Sequence, residues 1–290
     1  MGDPPVVAAT PRKLACGSKN PSPNGHTLAP GARATRQRPA IVRAVNPIRT
    51  VRAAFNSLLL PAWTVVWVSA GVVAVTLTRD RDLFYRWQRH WATSLFRVCG
   101  IDLEVTGQEH MRPGQPYVII ANHSSYMDVP ALFAALPILP QFIAKRELLR
   151  IPFVSAALRW GKHILIERGN RTSARDSLEQ AATQVRMGAA VLVFPEGTRG
   201  TKDEIGSFKT GAFRLAKQGN AAILPVGITG TRHVLPKHGR LLRPHRVRVR
   251  IGPPLGVDEV SSSDLKSTSR KGRALVGELA GMSLANPNGE

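Results

Sequence analysis

The chain has 290 residues, of which 40 are Lys or Arg and 19 are Asp or Glu, so its formal net charge at pH 7 is +21. This length suffices for one catalytic domain with appendages, and the charge favours anionic partners such as acidic lipid head groups, phosphorylated substrates or nucleic acid. Its two cysteines, Cys16 and Cys99, exclude a disulfide framework and a Cys-rich metal site.

Residues 1–54 predict a disordered basic leader. They are rich in Pro, Gly, Ser and Ala, and they carry nine basic residues against the single acid Asp3. A segment of this composition does not bury enough apolar surface to form a core. An Arg-rich, acid-poor leader is also typical of an organelle transit peptide, and a start codon set too far upstream would give the same pattern.

Residues 55–100 predict a membrane-associated helical segment. Residues 58–78 contain no charge and are long enough to cross about 30 Å of hydrocarbon as a helix. Residues 83–100 mix Trp with Arg, which is typical of an interfacial helix, so a pair of re-entrant helices is an alternative to a single span. A buried core helix is a third interpretation.

Basic residues before the apolar run indicate its orientation. By the positive-inside rule, Arg43, Arg49 and Arg52 place the preceding side in the cytosol. We expect a membrane protein whose catalytic domain is cytosolic, at the bacterial inner membrane, or at an organelle membrane if the leader is a transit peptide.

Residues 101–257 predict an α/β catalytic domain with a mostly parallel sheet and flanking helices, and residues 258–290 a C-terminal tail that is partly helical or disordered. Helical periodicity covers 173–187 and 211–218, and each stretch is followed by a glycine. Alternation of such helices with buried strands is typical of a parallel sheet. The strand candidates are 117–122, 141–145, 163–168, 190–196, 221–228 and 247–251.

His123 and Asp128 lie at the junction between the first of these strands and a predicted helix. Five positions correspond to about 140° around a helix, so the two side chains can meet only across a turn. There the carboxylate could orient one imidazole nitrogen and leave the other free to accept a proton. Asp128 also fits as the N-cap of the following helix.

Charged side chains follow three other predicted strands: Lys145, Arg168, and the pair Glu196 and Arg199. In an open parallel sheet, the carboxyl ends of the strands border the ligand crevice, so these groups should converge there. Arg168 and Arg199 could bind a phosphate bidentately, Lys145 could add a point charge, and Glu196 could orient a substrate or a neighbouring arginine.

These motifs resemble those of the glycerolipid acyltransferases, and among them the 1-acylglycerol-3-phosphate acyltransferases, over about residues 85–255. Residues 208–212 also resemble the segment that follows the third block in that family. In the second block, Lys162 occupies a position where a glycine is common, so the local turn departs from the family pattern. The four blocks are, in chain order, 122–128, 166–168, 194–199 (Phe-Pro-Glu-Gly-Thr-Arg) and 223–226.

The resemblance implies that His123 deprotonates the sn-2 hydroxyl of lysophosphatidic acid, which attacks an acyl thioester directly to give phosphatidic acid. Asp128 would position the imidazole. Acyl-CoA or acyl carrier protein would be the co-substrate, membrane lipids and the lysophospholipid the partners, and neither a metal nor a cofactor would take part. The residues implied in substrate binding are Asn122, Lys145, Arg168, Glu196, Gly197, Thr198 and Arg199.

Three alternatives remain open at this point. Another lysolipid, such as a lyso-ornithine lipid, could be the acceptor. A lipid hydrolase could use Ser124 or Ser125 with His123, although the chain lacks the G-x-S-x-G elbow of the α/β-hydrolases. The basic run from Arg232 to Arg250 could instead belong to a protein that only binds lipid. Because no nucleic-acid motif accompanies that run, we expect no nucleic-acid partner.

Overall fold

A computed structural model describes residues 47–112, 114–166 and 171–286. Two long helices begin it, α1 (Pro47–Thr78) and α2 (Arg81–Val98). Helix α1 therefore starts within the range expected for the leader, whose residues 1–46 lie outside the described part of the chain. The carboxylate of Asp80 accepts hydrogen bonds from the backbone N–H groups of Asp82 and Leu83, and this cap starts α2 after only two residues outside a helix.

The two helices pack against each other along their length. The Nδ2 of Asn56 donates to the Cys99 carbonyl at 3.0 Å, and the Trp87 indole donates to the Trp67 carbonyl at 2.8 Å. Gly71 allows this approach, because a Cβ there would lie 2.4 Å from the Trp87 ring. These contacts make α1 and α2 an antiparallel helical hairpin.

Within α1, the stretch Val51–Thr78 is long and apolar enough to cross a membrane. Its outward side is apolar: Phe55, Leu58, Val66 and Leu77 are all more than half exposed. Successive members are three, eight and eleven positions apart and so share one face of the helix. The opposite face packs against the protein, with Ala53 and Val75 buried.

Seven strands form the main sheet, in the order β1-β8-β7-β2-β5-β3-β4. All neighbours are parallel except β7 and β8, which pair antiparallel. The predicted mostly parallel sheet with flanking helices is confirmed. The strands are β1 (Asp102–Thr106), β2 (Tyr117–Ala121), β3 (Gln141–Lys145), β4 (Ile164–Ile166), β5 (Val191–Val193), β7 (Ala222–Thr229) and β8 (Arg246–Ile251). A separate small pair consists of β6 (Glu204–Ile205) and β9 (Ser283–Leu284).

Burial explains why some strands were easier to predict than others. The central strand β2 is buried at every position, as its continuous apolar run indicates. The edge strand β1 has no fully buried position, and its polar side chains pair with the neighbouring strand. Arg246 bonds Asp102 at 2.7 Å and Arg248 bonds Glu104 at 3.0 Å. Strand β1 was therefore absent from the predicted strands.

Helices cover both faces of the sheet. Helices α2 and α3 (Asp128–Ala135) pack on one face, together with the segment that contains Leu242. The other face is covered by α5 (Arg171–Arg186), α6 (Gly211–Gly219) and α9 (Leu265–Ala280). The remaining helices are α4 (Pro152–Trp160), α7 (Thr231–Val234) and α8 (Val257–Ser262), with short 3-10 turns at Gln108–His110 and Arg146–Arg150.

The segment predicted as a C-terminal tail contains α9, which lies directly on strand β7. A Cβ at Gly227 would lie 2.3 Å from the backbone nitrogen of Ala280, so only glycine allows this close crossing. Val276 and Ala280 are buried against the sheet. The described residues, including this helix, pack as one domain.

Candidate active site

Asn122 joins the carboxyl ends of two neighbouring strands. Its Nδ2 donates to the Ile228 carbonyl at 2.9 Å, and its Oδ1 accepts from the Ile228 N–H at 2.8 Å. The residue is 2% exposed. The side chain thus continues the β2–β7 pairing beyond the end of β2 and fixes the direction in which the chain enters the next turn. Asn122 was expected to contact the substrate, and that contact stays a prediction beside the two bonds to Ile228.

His123 and Asp128 meet across that turn, as the sequence predicted. The Nδ1 of His123 lies 2.7 Å from Oδ2 of Asp128, and the same oxygen accepts from the N–H groups of Ser124 and Ser125 at 2.8 and 2.9 Å. Asp128 is fully buried, and the His123 side chain is 19% exposed. A carboxylate that accepts at Nδ1 fixes the tautomer with its proton there, so Nε2 carries the free lone pair.

The interpretation of Asp128 as a helix N-cap is wrong. Asp128 is the first residue of α3, Met127 occupies the cap position, and no side chain there bonds the first turn. The carboxylate instead turns back to the two N–H groups that precede it. Its buried side chain therefore holds the turn and the imidazole together.

Phe194 fixes the plane of the imidazole. The His123 and Phe194 rings are stacked, with centroids 4.1 Å apart and planes 16° apart. Phe194 follows β5, the strand next to β2, so the sheet itself brings the two rings together. Sequence reasoning gave Phe194 no role of its own, although it opens the Phe-Pro-Glu-Gly-Thr-Arg block.

Residues 122–128 contain the candidate general base His123 and are named the catalytic turn, and Glu196 holds their backbone in place. Its Oε1 accepts from the His123 N–H at 2.8 Å, and its Oε2 accepts from the Gly206 N–H at 3.2 Å. A reciprocal bond runs from the Gly200 N–H to the His123 carbonyl at 2.8 Å. Burial raises the pKa of Glu196 above its ordinary value, and the two N–H donors partly oppose that rise. Glu196 was expected to orient a substrate or an arginine, and that role stays a prediction beside the two bonds that its oxygens accept within the protein.

The two residues after Glu196 shape the turn that follows β5. Gly197 has φ 73°, and its N–H donates to the Phe194 carbonyl at 3.0 Å. A side chain there would be strained, and its Cβ would also lie 2.9 Å from Nζ of Lys209. Thr198 is exposed. The structure thus gives Gly197 a conformational role and leaves Thr198 at the surface of the turn.

Arg199, the last residue of the block 194–199, lies against the turn that contains His123. Its Cζ lies 3.6 Å from the centroid of the Tyr126 ring, and Tyr126 belongs to the turn between His123 and Asp128. Nη1 of Arg199 is buried and has no hydrogen-bond partner among the described residues. A guanidinium held by an aromatic face and short of an acceptor suits an anion. Tyr126 was not singled out from the sequence.

The other two predicted cations are farther away or undescribed. Lys145 ends β3, two strands from β2 in the sheet, which corresponds to about 10 Å at the usual strand spacing. Arg168 lies outside the described residues, just beyond β4.

The hydroxyls of Ser124 and Ser125 hold the turn against the following segment. Ser125 Oγ donates to the Leu235 carbonyl at 2.7 Å, and Ser124 Oγ lies 3.1 Å from Oγ1 of Thr231. Both serines are buried. Because the Ser125 proton is directed at a carbonyl, it is not available to His123, and this geometry argues against Ser125 as a nucleophile.

An apolar cavity of about 190 Å³ lies between the helical hairpin and the sheet. Trp67, Trp87, Phe133 and His163 line it, and so does Val129, the residue after Asp128. Burial lowers the pKa of His163 to about 3, so this side chain is neutral at physiological pH. The cavity therefore offers an uncharged, largely aromatic wall that starts beside the catalytic turn.

Comparison with known proteins gives concordant matches. Residues 102–229 match the family model described as Acyltransferase. The 1-acyl-sn-glycerol-3-phosphate acyltransferase alpha of Mus musculus is 34% identical over 170 residues, which are 58% of this chain and 60% of that protein. The 1-acyl-sn-glycerol-3-phosphate acyltransferase of Pseudomonas aeruginosa is 30% identical over 241 residues, which are 81% of this chain and 92% of that protein.

A solved structure is similar over a comparable length. The crystal structure of the 1-acyl-sn-glycerophosphate acyltransferase from Thermotoga maritima has a TM-score of 0.68 and 26% identity, and covers 78% of this chain and 96% of that one. The chain spans 60% to 62% of the length of the mammalian relatives that it matches. With most of the bacterial relative covered at 30% identity, and with the same fold, the chain belongs to the acyltransferase family that includes the 1-acyl-sn-glycerol-3-phosphate acyltransferases.

Proposed function

We propose that this protein transfers a fatty acyl group from a thioester to the sn-2 hydroxyl of 1-acyl-sn-glycerol 3-phosphate, giving phosphatidic acid for phospholipid biosynthesis. The observation that carries the proposal is the contact of 2.7 Å between Nδ1 of His123 and the buried carboxylate of Asp128. It leaves one basic nitrogen free beside an anion-binding arginine. The names of the relatives support lysophosphatidic acid as the acceptor.

The proposed reaction is a direct transfer. Nε2 of His123 accepts the hydroxyl proton while the acceptor oxygen attacks the thioester carbonyl carbon. The tetrahedral intermediate then collapses, the C–S bond breaks, and the imidazolium returns the proton to the leaving thiolate. Asp128 stabilises the imidazolium through the Nδ1 bond. Since an alcohol has a pKa far above neutrality, base assistance contributes a factor of about 10² to 10⁴ in rate.

Arg199 is the group best placed to bind the phosphate of the acceptor. Its guanidinium lies against Tyr126 within the catalytic turn and has a buried N–H without a described partner. A planar guanidinium can hold two phosphate oxygens at once. Arg168 and Lys145 remain predicted contributors from the neighbouring strand ends.

The lipid parts of both substrates suit the face that carries the helical hairpin. The outward side of α1 is apolar, and the cavity of about 190 Å³ behind it has room for part of an acyl chain. Because the inward side of α1 packs on the protein, this supports a helix lying in one leaflet rather than one crossing both. We place the catalytic domain on the cytosolic side, since Arg43, Arg49 and Arg52 precede the uncharged stretch 58–78 and a hairpin within one leaflet returns the chain to the side from which it enters.

The test is an acyl-transfer assay with the purified full chain in detergent. Acyl-CoA and acyl carrier protein are compared as donors, and lysophosphatidic acid is compared with other lysolipids, including lyso-ornithine lipid. His123→Ala should lower kcat by about 10² to 10⁴. Ser124→Ala is the matched control in the same turn, and should retain most of the turnover.

Three outcomes would contradict the proposal. Transfer that persists in His123→Ala would remove the general base. Loss of transfer in Ser124→Ala, together with an acyl-serine trapped in the wild type, would restore the hydrolase mechanism. Preference for a lysolipid without a phosphate monoester would move the substrate assignment while leaving the chemistry in place.

A further inference from the structure

A basic loop, residues 235–245, lies between the helical hairpin and the catalytic turn. It contains no acidic residue. Lys237, Arg240 and Arg243 carry its permanent positive charge, and none of them forms an ion pair with another described residue. Arg240 and Arg243 are exposed, and Lys237 is partly exposed. By contrast, Arg246 and Arg248 in the strand that follows are neutralised by carboxylates of β1.

The backbone of the basic loop is fixed independently of these cations. Leu242 is 1% exposed and packs in the core. The Arg243 N–H donates to the Val234 carbonyl at 2.8 Å, and the Gly239 N–H closes a turn on the Pro236 carbonyl at 2.9 Å. The contacts that fix the loop are made by its backbone and by Leu242. The charges of Lys237, Arg240 and Arg243 are therefore available to a partner.

One hydrogen bond joins the basic loop to the apolar helix. The Leu242 N–H donates to Oγ of Ser57 at 2.7 Å. The next residue of α1, Leu58, is turned 100° further around the helix and is 77% exposed, and Phe55 is 62% exposed. The basic loop thus contacts α1 from its inward side, at the same helical turns whose outward side carries Phe55 and Leu58.

A second bond joins the basic loop to the catalytic turn. Oγ of Ser125 donates to the carbonyl of Leu235, the first residue of the loop, at 2.7 Å. Binding of the basic loop to another surface would therefore also fix the position of His123 relative to that surface.

We propose that the basic loop is a docking surface for the head groups of anionic phospholipids in a bilayer. Apolar side chains next to unpaired Lys and Arg are the combination that binds an anionic interface, with the apolar face in the acyl region and the cations at the phosphates. A nucleic acid or an acidic protein would use the charge but not the apolar stripe beside it. The inference rests on the proposed contact of α1 with a bilayer and extends it to the lipid class.

The size of the effect follows from the number of charges. A Lys or Arg near an anionic bilayer contributes roughly a fivefold gain in binding, so three of them contribute on the order of 100-fold. The gain should shrink as salt is raised, because the Debye length falls from about 10 Å at 0.1 M to about 3 Å at 1 M. The contribution of α1 is apolar and should persist in salt.

The experiment is vesicle flotation with the full chain and no turnover. Vesicles of phosphatidylcholine alone are compared with vesicles that contain about one third phosphatidylglycerol. The triple variant Lys237→Gln, Arg240→Gln, Arg243→Gln should lose on the order of 100-fold in partitioning onto the anionic vesicles and little on the neutral ones. Its transfer activity in detergent should match the wild type.

A matched control removes three exposed cations from the opposite face of the sheet, on α6 and α9: Arg214→Gln, Lys266→Gln, Arg270→Gln. The control should bind both kinds of vesicle as the wild type does. An equal loss in the control would mean that net charge, not the basic loop, drives binding, and would overturn the proposal. So would wild-type binding by the loop variant.

Two further outcomes separate the inference from what it rests on. If the wild type binds neither kind of vesicle, the bilayer contact of α1 fails and the proposal fails with it. If the loop variant binds vesicles normally but no longer uses acyl carrier protein as donor, the loop is a protein-docking surface instead. If the wild type shows no acyl transfer in detergent, the proposed function is refuted and the vesicle-binding result still stands.

Discussion

Replacing Glu196 with Gln tests whether this side chain positions the backbone of His123 or binds the substrate. In the folded protein, the carboxylate accepts one N–H on each oxygen, from His123 at 2.8 Å and from Gly206 at 3.2 Å. A glutamine has one acceptor oxygen, so its NH₂ group must face one of these two donors. We expect kcat to fall and the KM for the lysolipid to stay the same, because the change acts through the position of His123.

The magnitude follows from those two bonds. A hydrogen bond to a charged group is worth about 1.5 to 3 kcal/mol, and one of the two is lost. Burial of the charge, which raises the pKa of Glu196, is a cost that glutamine avoids, so the net loss of stability should be about 1 to 2 kcal/mol. For a domain of this size, that lowers Tm by about 2 to 8 °C. Since a displacement of about 1 Å can cost 10²-fold in rate, kcat should fall by about 10- to 100-fold.

Initial-rate kinetics with lysophosphatidic acid, together with thermal unfolding, would check both expectations. Glu204→Gln is the matched control, since it removes the same charge from an exposed position of the adjacent strand β6. A KM for the lysolipid raised tenfold or more, with kcat unchanged, would show that Glu196 contacts the substrate and would refute the reasoning.

Two other side chains yield separate expectations. Because His163 has its folded pKa lowered to about 3, the unfolded chain takes up a proton below pH 6.5 that the folded chain refuses, and stability is lost as the pH falls. Urea titrations should give a loss of about 1.4 kcal/mol per pH unit between pH 6 and 4 beyond that of His163→Phe, and equal slopes would contradict this. Tyr126→Ala should raise the KM for the lysolipid about two- to fivefold by releasing Arg199, whereas Tyr126→Phe should not. Lowered kcat in Tyr126→Ala with KM unchanged would count against that role.

The sequence predicted the parts of the site that are set by strand ends and by residue spacing. His123 and Asp128 follow an apolar strand, and a spacing of five positions allows them to meet only across a turn, as they do at 2.7 Å. Arg199 follows the neighbouring strand β5, so it reaches the same edge of the sheet. These inferences depend only on chain geometry.

The sequence could not predict which functional side chains bond to backbone. Asn122 and Glu196 both look like ligands for a substrate, yet their partners are the peptide groups of Ile228, His123 and Gly206. A peptide N–H is present at nearly every position and leaves no mark in the residue type, so only the tertiary fold reveals it.

The sequence also failed to indicate strand β1 and the start of helix α1, because neither has an apolar pattern. Strand β1 is polar at its exposed edge, so its alternation carries little apolar signal. Helix α1 begins at Pro47, in a stretch whose basic composition matches the leader, because proline is well tolerated in a first helical turn. Composition indicates where the uncharged stretch begins, at residue 58, whereas the helix that contains it begins at Pro47.

The bonds between residue 123 and residues 196 and 200 have an evolutionary consequence. The segment that contains His123, the proposed general base, and the segment that contains Arg199, the proposed phosphate ligand, share two hydrogen bonds through the His123 peptide groups. Exchange of residues 194–200 between relatives would therefore also reposition the imidazole. A change at Tyr126, which contacts the Arg199 guanidinium, would instead leave both shared bonds in place.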